Sequence, residues 1–292
     1  MGSTYTIVAY GEDRLKLETA VEAGFDEVRR LDELISNYKP RSEWSLVNRE
    51  AAERPVRVSV EVFNLISACL AYSRKSNGAF DITVGPLVRT WGFYKGSGRL
   101  PHRAEVRRAL AQTGYTNVIL DKENLTVRFA KPGVELDPGG IGKGYAVDRI
   151  AGILRDMGIR AAMVSAGGSS IYGIGAPPGA PGWQVKIRHP LRPSETVAEV
   201  VLRDNSMSTS GTSEKFFYSG GVRYSHIFDP RTGYPAPGML SVSVVAPRTI
   251  DSEAWTKPSF ILGREWARKN LPGEFKAFFC EDRTQATCAW LQ

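Results

Sequence analysis

Asp137-Pro138-Gly139-Gly140-Ile141-Gly142-Lys143-Gly144 runs directly into Tyr145-Ala146-Val147-Asp148-Arg149-Ile150-Ala151-Gly152-Ile153-Leu154, and the join between the two decides how this chain is read. The second run places Ala146, Ile150, Ile153 and Leu154 on one helical face, which predicts a helix from Lys143 to Met157 closed by Gly158. The first run is a glycine-rich turn. Backbone can come close to a ligand there, and the helix aims its positive N-terminus at whatever is bound, which suits phosphate. It is not a P-loop, because Asp137 stands where the first glycine would be and Gly144 where a magnesium-binding Ser or Thr would be. Nor is it the dinucleotide GxGxxG, whose third glycine is missing. The plainest alternative is a tight strand-to-helix turn with a solvated lysine. Asp137 tells against it, since a carboxylate beside such a turn can accept hydrogen bonds from sugar hydroxyls or base amines.

On the N-terminal side, Thr4 to Ala9 predicts a strand and Glu12 to Ile35 a helix, with Leu17, Val21, Phe25, Val28, Leu31 and Ile35 on its buried face. A helix from Val60 to Ser76 stops at Asn77-Gly78, a left-handed terminator. Arg103 to Gln112 predicts a short helix, and Asn117 to Leu120 with Leu125 to Phe129 a hairpin. On the C-terminal side strands dominate: Ala161 to Ser165, Gln184 to His189, Thr196 to Leu202, Arg223 to Phe228 and Leu240 to Ala246. A helix from Asp251 to Leu262 and a strand from Phe275 to Cys280 follow. Tyr172 to Pro181, rich in Gly and Pro, predicts a loop. The order is neither regular βαβ alternation nor all-β, so the expected fold is α+β, one domain over residues 1–292 with antiparallel sheets and flanking helices.

Hydrophobic residues at 42% and charged residues at 24% of 292 exclude disorder and fibrous repeats. The net charge of +7 is scattered, and its densest patches, Arg29-Arg30 and Arg103 to Arg108, lack interleaved aromatics, so no nucleic-acid partner is expected. Three cysteines, Cys69, Cys280 and Cys288, form no CxxC pair; neither a disulfide framework nor a zinc site is indicated, and they read as inert structural thiols. No stretch approaches the roughly 20 apolar residues that span a bilayer.

His226 lies in Arg223-Tyr224-Ser225-His226-Ile227-Phe228-Asp229-Pro230-Arg231-Thr232-Gly233-Tyr234-Pro235, a strand ending in a turn. Asp229, Arg231 and Thr232 beside it could orient the ring or hold a phosphate. His102 and His189 lack such company and read as surface residues. Gly78-Ala79-Phe80-Asp81 and Ala166-Gly167-Gly168-Ser169 are further glycine-centred turns that say little singly.

Together these segments resemble the FAD:protein FMN transferase family, the ApbE-like proteins once described as thiamine-biosynthesis lipoproteins. The resemblance spans nearly the whole chain through Met1 to Tyr5, Ile35-Ser36-Asn37-Tyr38, Gly78 to Asp81, Asp137 to Asp148, Ala166-Gly167-Gly168, Thr209-Ser210-Gly211 and His226 to Pro235. It implies an ApbE-like, T-fold-related architecture and transfer of FMN from FAD through a phosphoester bond to a Thr or Ser of an acceptor flavoprotein, with release of AMP and a requirement for Mg2+. By position it puts Met1, Tyr38, Ala79, Phe80, Asp81, Asp137, Lys143 and Ile227 at the FAD, gives the Gly140 carbonyl to the metal, and makes His226 the acceptor of the hydroxyl proton. An FAD pyrophosphatase and an FAD-binding protein without turnover are the competing functions.

One segment departs from the pattern. The family carries Asp, three residues, then Thr as metal ligands ahead of a Phe-Val-Leu-Gly-like run, and counting back from Gly263 puts Glu253 at the Asp position and Lys257 at the Thr position. Either Glu253 binds magnesium with Lys257 supplying part of the charge, or a shifted helix start brings in Asp251 and Thr256; the first needs no insertion. A plain i, i+4 pair of Glu253 with Lys257 is the structural alternative. The resemblance also implies an extracytoplasmic location and membrane association through a lipid anchor in a precursor, of which this chain would be a trimmed or processed form.

Overall fold

A computed structural model describes residues 3–94, 96–282 and 286–292; Met1 lies outside them. The chain forms two compact units, each assembled from separated stretches. The first takes the chain up to Leu31, Ile141–Gly211 and Gly238–Gln292; the second takes Asp32–Gly140 and Thr212–Pro237. The chain passes between them inside the helix Arg14–Ile35 at Leu31 and in short Gly- and Pro-rich turns at Gly140 and Pro237, so no long linker marks the boundary. Among the described residues no helix is long and apolar enough to cross a membrane.

The first unit is built on a seven-stranded sheet in the order Tyr5–Tyr10, Ala161–Ala166, Ser170–Ile174, Asn205–Gly211, Met239–Ala246, Lys276–Glu281, Thr287–Trp290, each neighbouring pair antiparallel. Successive side chains leave opposite faces, as the period of two requires. Ala162, Val164, Ala166, Tyr172 and Ile174 pack with Ala20, Val147, Ile150 and Leu154 of helices Arg14–Ile35 and Gly142–Asp156. On the other face Ile171, Met207, Val245 and Phe278 meet Trp183, Val185, Ile187 and Leu202 of a two-stranded ribbon, Trp183–Arg188 with Thr196–Leu202. With both faces covered, Ser170–Ile174 and Met239–Ala246 are buried throughout. The expected loop from Tyr172 was wrong in its first three residues, which belong to that buried strand.

The hydroxyl-rich strand Asn205–Gly211 was not expected at all. Its serine hydroxyls face the helix Thr249–Asn270, where Ser206 and Ser208 lie 3.0 and 2.8 Å from the Ser252 hydroxyl and Ser210 lies 2.7 Å from that of Thr256. Buried hydroxyls satisfied by one another replace the apolar alternation that marks an ordinary half-buried strand.

The cysteines are not all the inert thiols expected. Cys280 and Cys288 are directly paired across the last hairpin and joined as a disulfide, Cα–Cα 4.1 Å, while Cys69 is a buried free thiol. Hairpin register sets this pairing, and spacing alone does not reveal it.

The second unit holds helices Glu43–Glu50, Val60–Lys75, Gly85–Thr90 and Arg103–Gln112, a three-stranded antiparallel sheet (Val56–Arg57, Thr126–Phe129, Val118–Asp121) and two short hairpins. The Ser59 and Ser42 side chains cap their helices by accepting from the N–H groups of Val62 and Ser45. As expected, Val60–Lys75 ends in left-handed Asn77 (φ 49°) and Gly78 (φ 77°). Leu87, Trp91, Phe93, Val106, Ala109 and Phe228 form a core.

Candidate functional site

The glycine-rich turn is divided in sequence between the units, Asp137–Gly140 belonging to the second and Ile141–Gly144 to the first. On the Asp137 side, the indole of Trp44 and the amide of Asn48 donate to the Leu136 carbonyl at 3.1 and 2.9 Å, and Leu136 N–H donates to the Asn48 side chain at 2.7 Å. The Asp137 N–H then donates to the Ile82 carbonyl at 2.7 Å. Helix Glu43–Glu50 thus fixes the approach to the turn, and the Asp137 carboxylate accepts from the Asn37 amide (3.1 Å) and the Gly139 N–H (2.7 Å). Burial pushes this carboxyl above the usual carboxylate range. Gly140 closes the short 3-10 turn Pro138–Gly140.

Tyr38 follows Asn37 and remains 48% exposed, its ring stacked on Tyr94 at 4.8 Å with the Arg89 guanidinium 3.8 Å from the centroid of the Tyr94 ring. An exposed aromatic face braced from behind is a platform for a planar ring system. Ala79 and Phe80 are buried. The buried Asp81 accepts from the N–H and hydroxyl of Thr83 and from Tyr115 N–H, and burial pushes its pKa up to about 6. This carboxylate therefore holds a turn together inside the protein.

His226 lies at a bend between the strands Val222–Ser225 and Phe228–Asp229, not within a strand as expected. Its Nδ1 is 3.1 Å from the Lys215 carbonyl and its ring lies edge-on to Phe93. A carbonyl only accepts, so Nδ1 carries the proton and Nε2 is the basic nitrogen. Asp229, expected to orient the ring or hold a phosphate with Arg231, is instead paired with Arg231 at 2.7 Å. Ile227 is buried beside it. His189, expected at the surface, is buried: its Nδ1 accepts from the N–H groups of Leu191 and Arg192.

On the Lys143 side, the helix Gly142–Asp156 begins at once after the turn, with no side-chain cap from Ile141. The Lys143 ammonium donates to the Ser169 hydroxyl at 2.5 Å, and Ser169 stands on the turn made by left-handed Gly167 and Gly168. Sequence reasoning gave Ser169 no role; only the recurrence of glycines there marked it.

Glu253 is 1% exposed, and its Oε2 accepts the Gly144 N–H in the first turn of that helix, where a negative charge is favoured. Oε1 has no hydrogen-bond partner among the described residues and lies 3.8 Å from the Lys257 ammonium, which also donates to the Glu253 carbonyl at 3.0 Å. The alternative pair is engaged elsewhere: Asp251 is bound to Arg248 at 2.7 and 3.0 Å, and the Thr256 hydroxyl meets the Glu253 carbonyl and Ser210, both at 2.7 Å. Burial, with the Glu253 charge added, raises the Tyr5 phenol. Magnesium asks for near-octahedral oxygen ligands. Here a lone carboxylate faces an ammonium, and among the described residues no group of three His, Cys, Asp or Glu could hold an ion. These residues do not fit a dedicated magnesium site.

The ApbE family model matches residues 1–279, and the chain belongs to the ApbE family. It is 34% identical over 269 residues to a protein of Klebsiella pneumoniae (strain 342) named FAD:protein FMN transferase, covering 91% of this chain and 81% of the relative. The ApbE protein of Thermotoga maritima superposes with a TM-score of 0.87 at 30% identity, covering 98% of this chain and 96% of that one. The apo form of the flavinyl transferase ApbE of Pseudomonas stutzeri matches with a TM-score of 0.87 at 28% identity, over 100% and 92%.

Proposed function

We propose that this chain transfers the FMN half of FAD to a Ser or Thr hydroxyl of an acceptor flavoprotein and releases AMP. Family membership supports the reaction class, and the observation that carries the reading is the turn from Asp137 to Gly144. There a half-buried carboxylate with a raised pKa is followed, six positions on, by an ammonium at the start of a helix. These are groups suited to the polar and the phosphate parts of a dinucleotide respectively.

The acceptor hydroxyl oxygen attacks the phosphorus of the FMN half, a P–O bond forms to Ser or Thr, and the P–O bond to the bridging oxygen breaks with its electron pair leaving on AMP. Lys143 and the helix start offset charge on the pyrophosphate. His226 Nε2 takes the hydroxyl proton, which an alcohol cannot lose unaided near neutral pH. Tyr38 offers a stacking face in the binding of FAD. No step is assigned to magnesium.

The Cys280–Cys288 disulfide supports an extracytoplasmic location, since such bonds persist in oxidising compartments and are rare in the cytosol. The test of function is incubation with FAD and an FMN-acceptor domain. A flavin-fluorescent acceptor band that survives denaturation is the expected result, and free FMN with AMP but no band would favour a pyrophosphatase.

A further inference from the structure

We infer that the Lys257 ammonium occupies the place of a divalent cation beside Glu253, so that this chain carries a tethered cation where a protein-bound metal would otherwise sit. The inference rests on the transferase reading for the purpose of that charge, and on geometry for its location.

Glu253 is almost wholly buried, and an ionised carboxylate out of water must be compensated. One oxygen takes the Gly144 N–H, which ties the charge to the same helix start that carries Lys143. The other has no hydrogen-bond donor among the described residues; what faces it is Lys257, one helical turn on, at 3.8 Å. The Lys257 side chain is one-fifth exposed, so it spans from the buried carboxylate towards solvent. An ammonium has three donors and no lone pair: it can neutralise Glu253 but cannot ligate an ion, and it repels a dication at this range.

The register is anchored as well. Gly263 breaks the helix Thr249–Asn270 in a left-handed conformation (φ 79°) that favours glycine, so the count back to Glu253 and Lys257 starts from a position with a backbone reason to be Gly. Asp251 and Thr256 are committed to Arg248 and Ser210.

The test is Mn2+ titration of the whole chain, without FAD or acceptor, followed by electron paramagnetic resonance, for the wild type and Lys257→Thr. The wild type is expected to show only weak, millimolar association, and Lys257→Thr to bind at least roughly tenfold more tightly, because a repelling charge is exchanged for an oxygen ligand. Lys257→Gln, a neutral oxygen donor of similar length, is read in the same way should the Thr variant fail to fold. Flavin transfer by the wild type should persist in EDTA, while Lys257→Thr should require added Mg2+. Micromolar Mn2+ binding by the wild type, unchanged affinity in the folded variant, or loss of wild-type transfer in EDTA would overturn the inference. The expected Mn2+ results without covalent transfer under any metal condition would count against the transferase reading alone.

Discussion

Asp81 shows how a residue at a family position can work inside the protein. Its carboxylate accepts three hydrogen bonds from Thr83 and Tyr115, yet burial still leaves its pKa at about 6 against an ordinary 3.8. A raised folded-state value means the native protein holds a proton that the unfolded chain has released. The associated stability is fully present below about pH 4 and is lost as pH rises through about 6. Relative to Asp81→Asn, the wild type should therefore lose on the order of 3 kcal/mol between those values, a shift of about two pKa units. Urea unfolding of both proteins at the two ends of that range measures the slope, and a difference that grows in favour of the wild type with rising pH would contradict it. At this scale the sequence was informative about which side chains matter and less so about their partners. His226 and Lys143 stood out by type and company, but a main-chain carbonyl orients His226, and Ser169 meets Lys143 from a strand end 26 positions away.

Among elements, the helix Gly142–Asp156 lies tight against the helix Thr249–Asn270 at Gly144, where an added Cβ would lie 2.5 Å from the Thr249 carbonyl oxygen and 2.9 Å from Glu253 Oε2. The Asp148 carboxylate accepts from the N–H groups of Thr249 and Ile250, pinning one helix to the start of the other. The glycine that replaces a P-loop Ser or Thr is thus required by packing. Gly144→Ala should destabilise by about 1–3 kcal/mol as overpacking does, seen as a lower urea midpoint, and an unchanged midpoint would show that the helices can separate freely. Apolar patterning revealed the helices and the fully buried strand Met239–Ala246. It missed Asn205–Gly211 because hydroxyls, which also mark turns, are here buried against Ser252 and Thr256. The last hairpin was invisible for a similar reason, since register joins Cys280 to Cys288. Replacing both by Ser should cost about 2–3 kcal/mol by the loop-closure argument for so short a loop, measurable as a fall in Tm.

For the whole molecule, the α+β class with antiparallel sheets followed from the order of helices and strands, whereas the two units did not. Each is closed by stretches far apart in sequence, and one boundary, at Leu31, falls inside the helix Arg14–Ile35, where no turn signal stands. The functional class was legible because ordered blocks of residues along the full chain specify a family more narrowly than any one turn does, and the family match spans residues 1–279. What the sequence left open was the cation, and the burial of Glu253 beside Lys257 turns that doubt into a measurable difference in metal affinity.

In the reaction proposed for this chain, FAD is cleaved only as its FMN half is passed to a hydroxyl. The most direct measurement is the ratio of AMP released to FMN covalently bound when the protein is incubated with FAD and an acceptor domain. One AMP for each acceptor-bound FMN, and no AMP without acceptor, is the expected result. AMP and free FMN in the absence of acceptor, or FAD retained unchanged beside an acceptor already shown to be competent, would contradict it.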